Sequence, residues 1–320
     1  MKLLKLKNKL EKKNFKKREL KKEYLNKKTK QNDKDLVIIG VTGSRGKSTT
    51  ALMMHEYLKS RGYKSVLYSS VMVDSPASHY KKNEAYEVAV RDEKALLSII
   101  EEAEAYGAEY LVLEVNESAL AKGFLKDVPF DVRVLTNLNP KHNLEEYTEE
   151  EYVELKKSFF KDIEEECKCV LGFQDYDKEL LDKLLQLNKY PKYIAASNYI
   201  ANVKGLNANE VTGLLTGLET DIDGMKLQFR LNGKTYKLDT NLLMSYNALN
   251  VLTVLTTLEV LGVLNVSQFE KMLNGLVIPG RAEVFRANGR LVVVDTHLPA
   301  MLECLKTLKD QGKVNQIKVV

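Results

Sequence analysis

With 320 residues, 44% of them hydrophobic and 29% charged, the chain can fill a sizeable core and stay in solution, which excludes a disordered chain and a small stapled scaffold. Its net charge of +5 is unevenly held: residues 1–34 carry fifteen Lys and Arg against four acids, a local +11 that leaves −6 for everything after them. Nucleic-acid binding is therefore excluded for the globular part and stays open only for the arm. Three cysteines (Cys167, Cys169 and Cys304) are too few for a disulfide framework or a four-thiolate zinc site. No apolar run approaches the roughly 18–20 residues of a bilayer span, so the reading is a protein of a reducing, cytoplasmic compartment.

Residues 1–35 form a basic N-terminal arm, read as a solvated helix or tail, with docking to an anionic surface as its alternative. Leu36-Val37-Ile38-Ile39-Gly40-Val41 is an unbroken apolar run and predicts a strand buried on both faces. A glycine-punctuated loop follows, then a helix over 48–59 and a strand over 65–70. Next come a helix over 92–106, strands over 110–115 and 132–138, a helix over 149–163, and strands over 169–171 and 193–196. Strands alternating with helices predict an α/β fold with a doubly wound, mostly parallel sheet. The pattern then switches to period two: residues 225–238, turning at Asn232-Gly233, spell a small antiparallel hairpin. A helix over 246–261 leads to Val277-Ile278-Pro279-Gly280-Arg281, which breaks periodicity like a hinge. Residues 36–279 are thus read as the central domain. Residues 280–320, with a strand at 291–295, a helix at 299–309 and an apolar start at 317–320, are read as the beginning of a second α/β domain, too short to close and expected to be truncated.

The strongest local signal is Val41-Thr42-Gly43-Ser44-Arg45-Gly46-Lys47-Ser48-Thr49-Thr50 between a buried strand and a helix. Gly43 and Gly46 let backbone N–H groups turn inward as an anion nest, and the helix aims its positive end at the same point. Lys47 supplies a mobile charge for the terminal phosphates, and the Ser48 hydroxyl suits Mg²⁺. Gly43, Ser44, Arg45, Gly46, Lys47, Ser48 and Thr49 are therefore the candidate ATP contacts. Glu114 ends an apolar strand, where ligands gather in doubly wound sheets, and is read as facing a metal. Asn247 and Asn250 share one helix face; their amides suit a base edge or helix capping equally well. Cys167 and Cys169 alternate on a strand and read as buried structural thiols.

Val41 stands where the strict phosphate-loop pattern has Gly, and that variant resembles the Mur ligase family of ATP-dependent amide-forming synthetases. Leu111-Val112-Leu113-Glu114-Val115 resembles the family's strand with a magnesium-associated glutamate. Leu135-Thr136-Asn137-Leu138-Asn139-Pro140-Lys141-His142 resembles its T-N-L-x-x-x-H element, and Tyr152 to Lys156 its Y-x-x-x-K helix. Tyr246-Asn247-Ala248-Leu249-Asn250 is similar to its adenine-facing segment. Pro279-Gly280-Arg281-Ala282-Glu283 and Asp295-Thr296-His297 resemble its hinge and the start of its last domain. The resemblance implies two Mg²⁺ ions, the second shared by Glu114, His142 and a carbamylated Lys156. It also implies adenine contacts from Asn247 and Asn250, and nucleotide contacts from Arg281 and Asp295. Lys47, His142 and Lys156 are its catalytic set. The implied reaction joins a carboxylate to an amine through an acyl phosphate, on a cell-wall or γ-glutamyl type of small-molecule substrate. A nucleotide-binding scaffold working with a partner subunit is the alternative.

Three departures qualify that expectation. Only the basic arm precedes the loop, where the peptidoglycan enzymes carry a uridine-nucleotide domain. Asn116-Glu117-Ser118 follows Glu114 where the relatives that add the third muropeptide residue read S-S-H, and no T-T-P element is recognisable around residues 74–78. Most of the amine-binding last domain is not in the sequence.

Overall fold

The computed structural model describes residues 36–76, 78–80, 92–123, 125, 128–139, 145–161, 167–173, 192–197, 212–288, 290–295, 298–312 and 316. The basic arm, His142 and the apolar run 317–320 lie outside the described residues. Among the described residues, an eleven-stranded sheet runs in the order β11-β10-β9-β8-β7-β6-β1-β5-β2-β3-β4, numbered along the chain. Its centre is β1 (Val37–Thr42), flanked in parallel by β5 (Tyr110–Glu114) and β6 (Val132–Leu135). Beyond β5 lie β2 (Ser65–Tyr68), parallel, and then β3 (Val73–Ser75) and β4 (Ser78–Tyr80), antiparallel. On the other side β7 (Lys168–Phe173), β8 (Lys192–Ser197) and β9 (Gly213–Asp221) continue the parallel run. The doubly wound, mostly parallel α/β sheet expected from the sequence is thus observed.

The strands read as continuous apolar runs because both faces are covered. Ile38, Leu111 and Leu113 pack on one side with α2 (Glu93–Tyr106), α3 (Glu117–Lys122) and α4 (Glu149–Ser158). Ile39, Val41 and Val112 face the other side, with α1 (Lys47–Ser60), α5 (Asn247–Val260) and α6 (Val266–Asn274). Helix α5 is buried from Asn247 to Leu258, which accounts for its broadly apolar sequence. Its buried Thr253, Thr256 and Thr257 hydroxyls donate to the carbonyls four residues back, so none of these three is stranded in the core. Gly213 has a reason to be small: a Cβ there would sit 2.2 Å from Thr256 Oγ1, so β9 can lie against α5 only without a side chain.

The predicted hairpin forms as β10 (Gly224–Leu231) and β11 (Lys234–Thr240). Asn232 and Gly233 both have positive φ (46° and 78°), as a type I′ turn requires. The Phe229 and Tyr236 rings stack across it, 5.6 Å apart. It is not a separate piece: β10 pairs antiparallel with β9 and extends the main sheet. After the hinge, β12 (Glu283–Ala287) and β13 (Arg290–Val294) form a two-stranded sheet followed by α7 (Leu298–Asp310). Among the described residues no helix is long and apolar enough to cross a membrane.

Candidate active site at the loop between β1 and α1

Parallel pairing in the register Val41↔Glu114 and Thr42↔Leu135 brings the C-terminal ends of β1, β5 and β6 together. The loop 43–46 leaves from that edge, where doubly wound sheets bind ligands. Gly43 (φ +147°) and Gly46 (φ +76°) hold conformations that L side chains rarely adopt, and neither has room for a Cβ: one at Gly43 would meet Thr136 Oγ1 at 2.0 Å, one at Gly46 would meet Asn250 Oδ1 at 2.3 Å. The chain after β6 clamps the loop. Ser44 N donates to Asn137 O (2.9 Å), Arg45 N to Asn137 Oδ1 (2.9 Å), and Asn137 Nδ2 to Arg45 O (2.9 Å), while the Thr136 hydroxyl also donates to Arg45 O. Helices α2, α3, α4 and α6 each start on a side-chain cap, but α1 starts on Gly46 with none and has no acid in its first turn. Its first N–H groups and its positive dipole end are therefore available to an anion.

A buried oxygen cluster lies against this helix start. Glu114 is only 3% exposed. Its Oε1 accepts from Ser48 Oγ (3.2 Å) and Ser70 Oγ (3.2 Å), and its Oε2 from Ser70 N (2.8 Å); the two hydroxyls are 2.9 Å apart. A carboxylate with two hydroxyls is a set of hard oxygens that fits Mg²⁺.

On the other side of the loop stands a charged cluster. Lys47 Nζ donates to Gly43 O (3.0 Å) and Ser44 O (3.3 Å) and lies 3.4 Å from Glu117 Oε1. Lys156 has no solvent exposure; its Nζ is 2.6 Å from the same Glu117 oxygen and 3.2 Å from Thr42 Oγ1. Tyr152 OH donates to Glu117 Oε1 (3.2 Å) and lies 3.1 Å from Ser44 Oγ. Burial pushes the Glu117 carboxyl up, but the Lys156 and Lys47 charges outweigh it and hold the group down to about 2. Burial, then the Lys47 charge, pulls Lys156 below its ordinary value, and Glu117 opposes both. Burial, with the Glu117 charge behind it, raises the Tyr152 phenol, which is therefore a hydrogen-bond donor throughout the working range.

Asn247 and Asn250 are buried at the start of α5. Asn250 Nδ2 donates to Asn247 Oδ1 (3.1 Å), and Asn247 Nδ2 to Leu243 O (2.9 Å). At the hinge, Asp295 Oδ2 accepts from Tyr246 OH (2.9 Å) and Ala282 N (3.0 Å), and Arg281 Nη1 donates to Gly280 O (3.1 Å).

Residues 41–258 match the family model described as the Mur ligase middle domain. The chain belongs to the Mur ligase family. Over 291 residues it is 26% identical to the UDP-N-acetylmuramoyl-L-alanyl-D-glutamate–2,6-diaminopimelate ligase of Aquifex aeolicus, a match covering 89% of this chain and 55% of that enzyme. The corresponding Vibrio vulnificus ligase is 28% identical over 276 residues, covering 84% and 52%. The chain spans about half the length of the curated relatives it matches. Among solved structures, a ligase of that same name superimposes with a TM-score of 0.67 at 24% identity, over 86% of this chain and 54% of that one. The Mycobacterium tuberculosis folylpolyglutamate synthase complexed with ADP gives 0.65 at 15%, over 96% and 73%. At these identities the structures establish a common fold.

The Mur ligase site residues expected from the sequence divide into two groups. Gly43, Ser44, Arg45, Gly46, Lys47, Ser48 and Thr49 form the loop and helix start; Glu114, Lys156 and Asn250 converge on it, and Asn247 backs Asn250. Asp295 lies with Tyr246 and Ala282 in a group at the hinge, and Arg281 precedes Ala282 in the chain. Sequence reasoning missed Ser70, the clamping role of Thr136 and Asn137, and Glu117. Ser70 carried a usable signal, since it ends a predicted strand of the parallel sheet and so falls at its ligand-binding edge.

Proposed function

We propose that this chain carries the nucleotide-binding core of an ATP- and Mg²⁺-dependent ligase that joins a carboxylate to an amine. The observation that carries this reading is the Ser48–Glu114–Ser70 oxygen cluster set against an uncapped helix start and Lys47. ATP bound with Mg²⁺ supplies the phosphoryl group that turns a substrate carboxylate into an acyl phosphate, which an amine then attacks with release of phosphate. The N–H groups at the start of α1 and the helix dipole orient the phosphates. Lys47 swings from the Gly43 and Ser44 carbonyls to the oxygens on which charge accumulates. Ser48 and Glu114 hold the cation, and Ser70 fixes the Glu114 carboxylate. Asn250 walls the loop at Gly46, and the Asp295–Tyr246 contact ties the hinge to the start of α5. The relatives' names place glutamate in what they act on or make, which supports a glutamyl-type carboxylate as the substrate class.

Isothermal titration with Mg-ATP tests the binding step. Lys47→Ala is expected to weaken affinity at least tenfold, about 1.4 kcal/mol or more, with the fold retained; unchanged affinity removes the proposal. Phosphate release is then measured with glutamyl peptides and amino acids present. Release that rises with both substrates supports the ligase, and flat release across the panel supports the scaffold alternative.

A further inference from the structure

We propose that His55, Glu56 and Asp74 form a site for a Zn²⁺-class divalent cation towards the end of α1, separate from the Ser48–Glu114–Ser70 oxygens at its start. The site goes beyond the ligase reading, and its test needs no nucleotide.

His55 and Glu56 are consecutive on α1, and Asp74 lies in β3, which pairs with β2. One ligand atom from each gathers within 4.8 Å of the others: His55 Nε2 is 3.0 Å from Asp74 Oδ2 and 3.8 Å from Glu56 Oε1. In a tetrahedral zinc site, with bonds of about 2.0–2.1 Å, neighbouring ligand atoms stand about 3.3 Å apart, so both separations close on one ion with shifts of about half an ångström or less. The His55 ring has no solvent exposure, and its Nδ1 is 2.9 Å from the hydroxyl of Ser65, which opens β2. A ligating imidazole is held in this way by its second nitrogen. With the ring proton on Nδ1 and directed at Ser65, the Nε2 lone pair faces the two carboxylates.

The cluster already gathers positive charge between its carboxylates. Lys59, one turn farther along α1, places Nζ 2.6 Å from Asp74 Oδ2 and 3.7 Å from Glu56 Oε1. Its ammonium stands in for a metal ion and competes with one for the same oxygens. The Lys59 side chain is 43% exposed, so its flexible stem carries the charge out to water when a divalent ion arrives. Donor chemistry selects the ion. An imidazole nitrogen with two carboxylates suits Zn²⁺, and three protein ligands leave a fourth position for water. The oxygen set at the start of α1 suits Mg²⁺ instead. A bound Zn²⁺ takes over the work of the Lys59 ammonium and fastens α1 to β3 with a divalent charge.

The test is Zn²⁺ titration of the metal-stripped full chain in competition with a chromophoric chelator, without nucleotide and in excess Mg²⁺, so that oxygen sites for Mg²⁺ do not take up the zinc. One Zn²⁺ per chain is expected to bind and to raise the Tm. Asp74→Asn and Glu56→Gln are each expected to weaken binding about tenfold or more. Lys59→Met removes the competing ammonium and is expected to tighten binding about two- to fivefold. Glu56 and Lys59 are 30% and 43% exposed, so their variants leave the core intact and decide the matter even where a change at Asp74 fails to fold. Three outcomes overturn the proposal: no Zn²⁺ bound by the wild type, an affinity that Glu56→Gln leaves unchanged, or weaker binding in Lys59→Met. None of these readings depends on ATP, so they stand apart from the result with Lys47→Ala.

Discussion

Helix α1 carries an ion-pair cluster at each end, and the two are built differently. At its start, Lys47 meets Glu117 and Lys156, which arrive from α3 and α4, far along the chain. Towards its end, the buried His55 ring lies between Ser65 Oγ (2.9 Å) and Asp74 Oδ2 (3.0 Å), and Lys59 Nζ sits 2.6 Å from the same Asp74 oxygen. The His55 hydrogen bond, with Lys59 behind it and burial against it, holds the Asp74 carboxyl well below the usual carboxylate range. The first cluster sets Lys47 and Lys156 against Glu117, with the Glu114 charge also acting on Lys156, beside a helix start without a side-chain cap. The second has a carboxylate already matched by its partners, and it pins α1 to β2 and to the chain just after it. A lysine held only by loop carbonyls and one carboxylate beside open amides marks a place for a further anion, whereas a carboxylate closed in by its partners marks a brace.

The largest effect is expected where the comparison is sharpest. Lys156→Met leaves Glu117 buried without its nearest cation, and breaking a buried pair in this way costs about 3–5 kcal/mol. Adding Glu117→Leu removes the stranded charge and is expected to return most of that loss. Equilibrium urea unfolding of the two single variants and the double variant measures the coupling; independent, additive losses would mean that the pair is not a unit. At the other end of α1, Asp74→Asn is expected to cost less, about 1–2 kcal/mol, because Lys59 is partly solvated. Its pH dependence has a definite sign. The folded Asp74 value is depressed, so its contribution is fully present above the unfolded value of about 3.9 and is lost as pH falls below it. The Tm difference between wild type and Asp74→Asn should therefore be open at pH 7 and close on acidification, while Mg-ATP affinity stays as in the wild type. A drop in affinity in Asp74→Asn would make the far cluster part of the site.

The two clusters were unequally legible in the sequence, and so were the elements around them. The loop and Glu114 belong to local patterns, a glycine spacing between a strand and a helix and an acid ending an apolar strand, whereas Lys156 was legible only through the resemblance to the family's Y-x-x-x-K helix. The doubly wound sheet followed from alternating runs, and the hairpin from Asn232-Gly233. Partnership was not legible. Nothing in Asn116-Glu117-Ser118 says that α3 and α4 meet there, and Thr136 and Asn137 clamp the loop only because β6 lies beside β1. Strand β9 was missed because Gly213 and Gly217 dilute its pattern, and their spacing reflects the closeness of α5 and β10. The adenine expectation for Asn247 and Asn250 met a different fact: their amides bond to each other and to the Leu243 carbonyl, and Asn250 is pressed against Gly46. Which atoms an amide faces is decided by how its helix packs, which the spacing of two asparagines does not contain.

The smallest expected effect separates holding Glu117 from being Glu117. Asn116 does not touch either lysine in the contacts that define the site; it caps a helix of six residues that begins with Glu117. Asn116→Ala removes the side-chain acceptor for Ala119 N and should cost about 1 kcal/mol of stability. If Glu117 is positioned mainly by its contacts to Lys156, Tyr152 and Lys47, Mg-ATP affinity in Asn116→Ala should stay within about twofold of wild type, less than 0.5 kcal/mol. If the cap itself sets the carboxylate, affinity should fall together with stability, and adding Asn116→Ala to Glu117→Gln should then produce no further loss of affinity. The order of these two losses shows whether the anion pocket beside α1 is held together by its charges or by the short helix that delivers one of them.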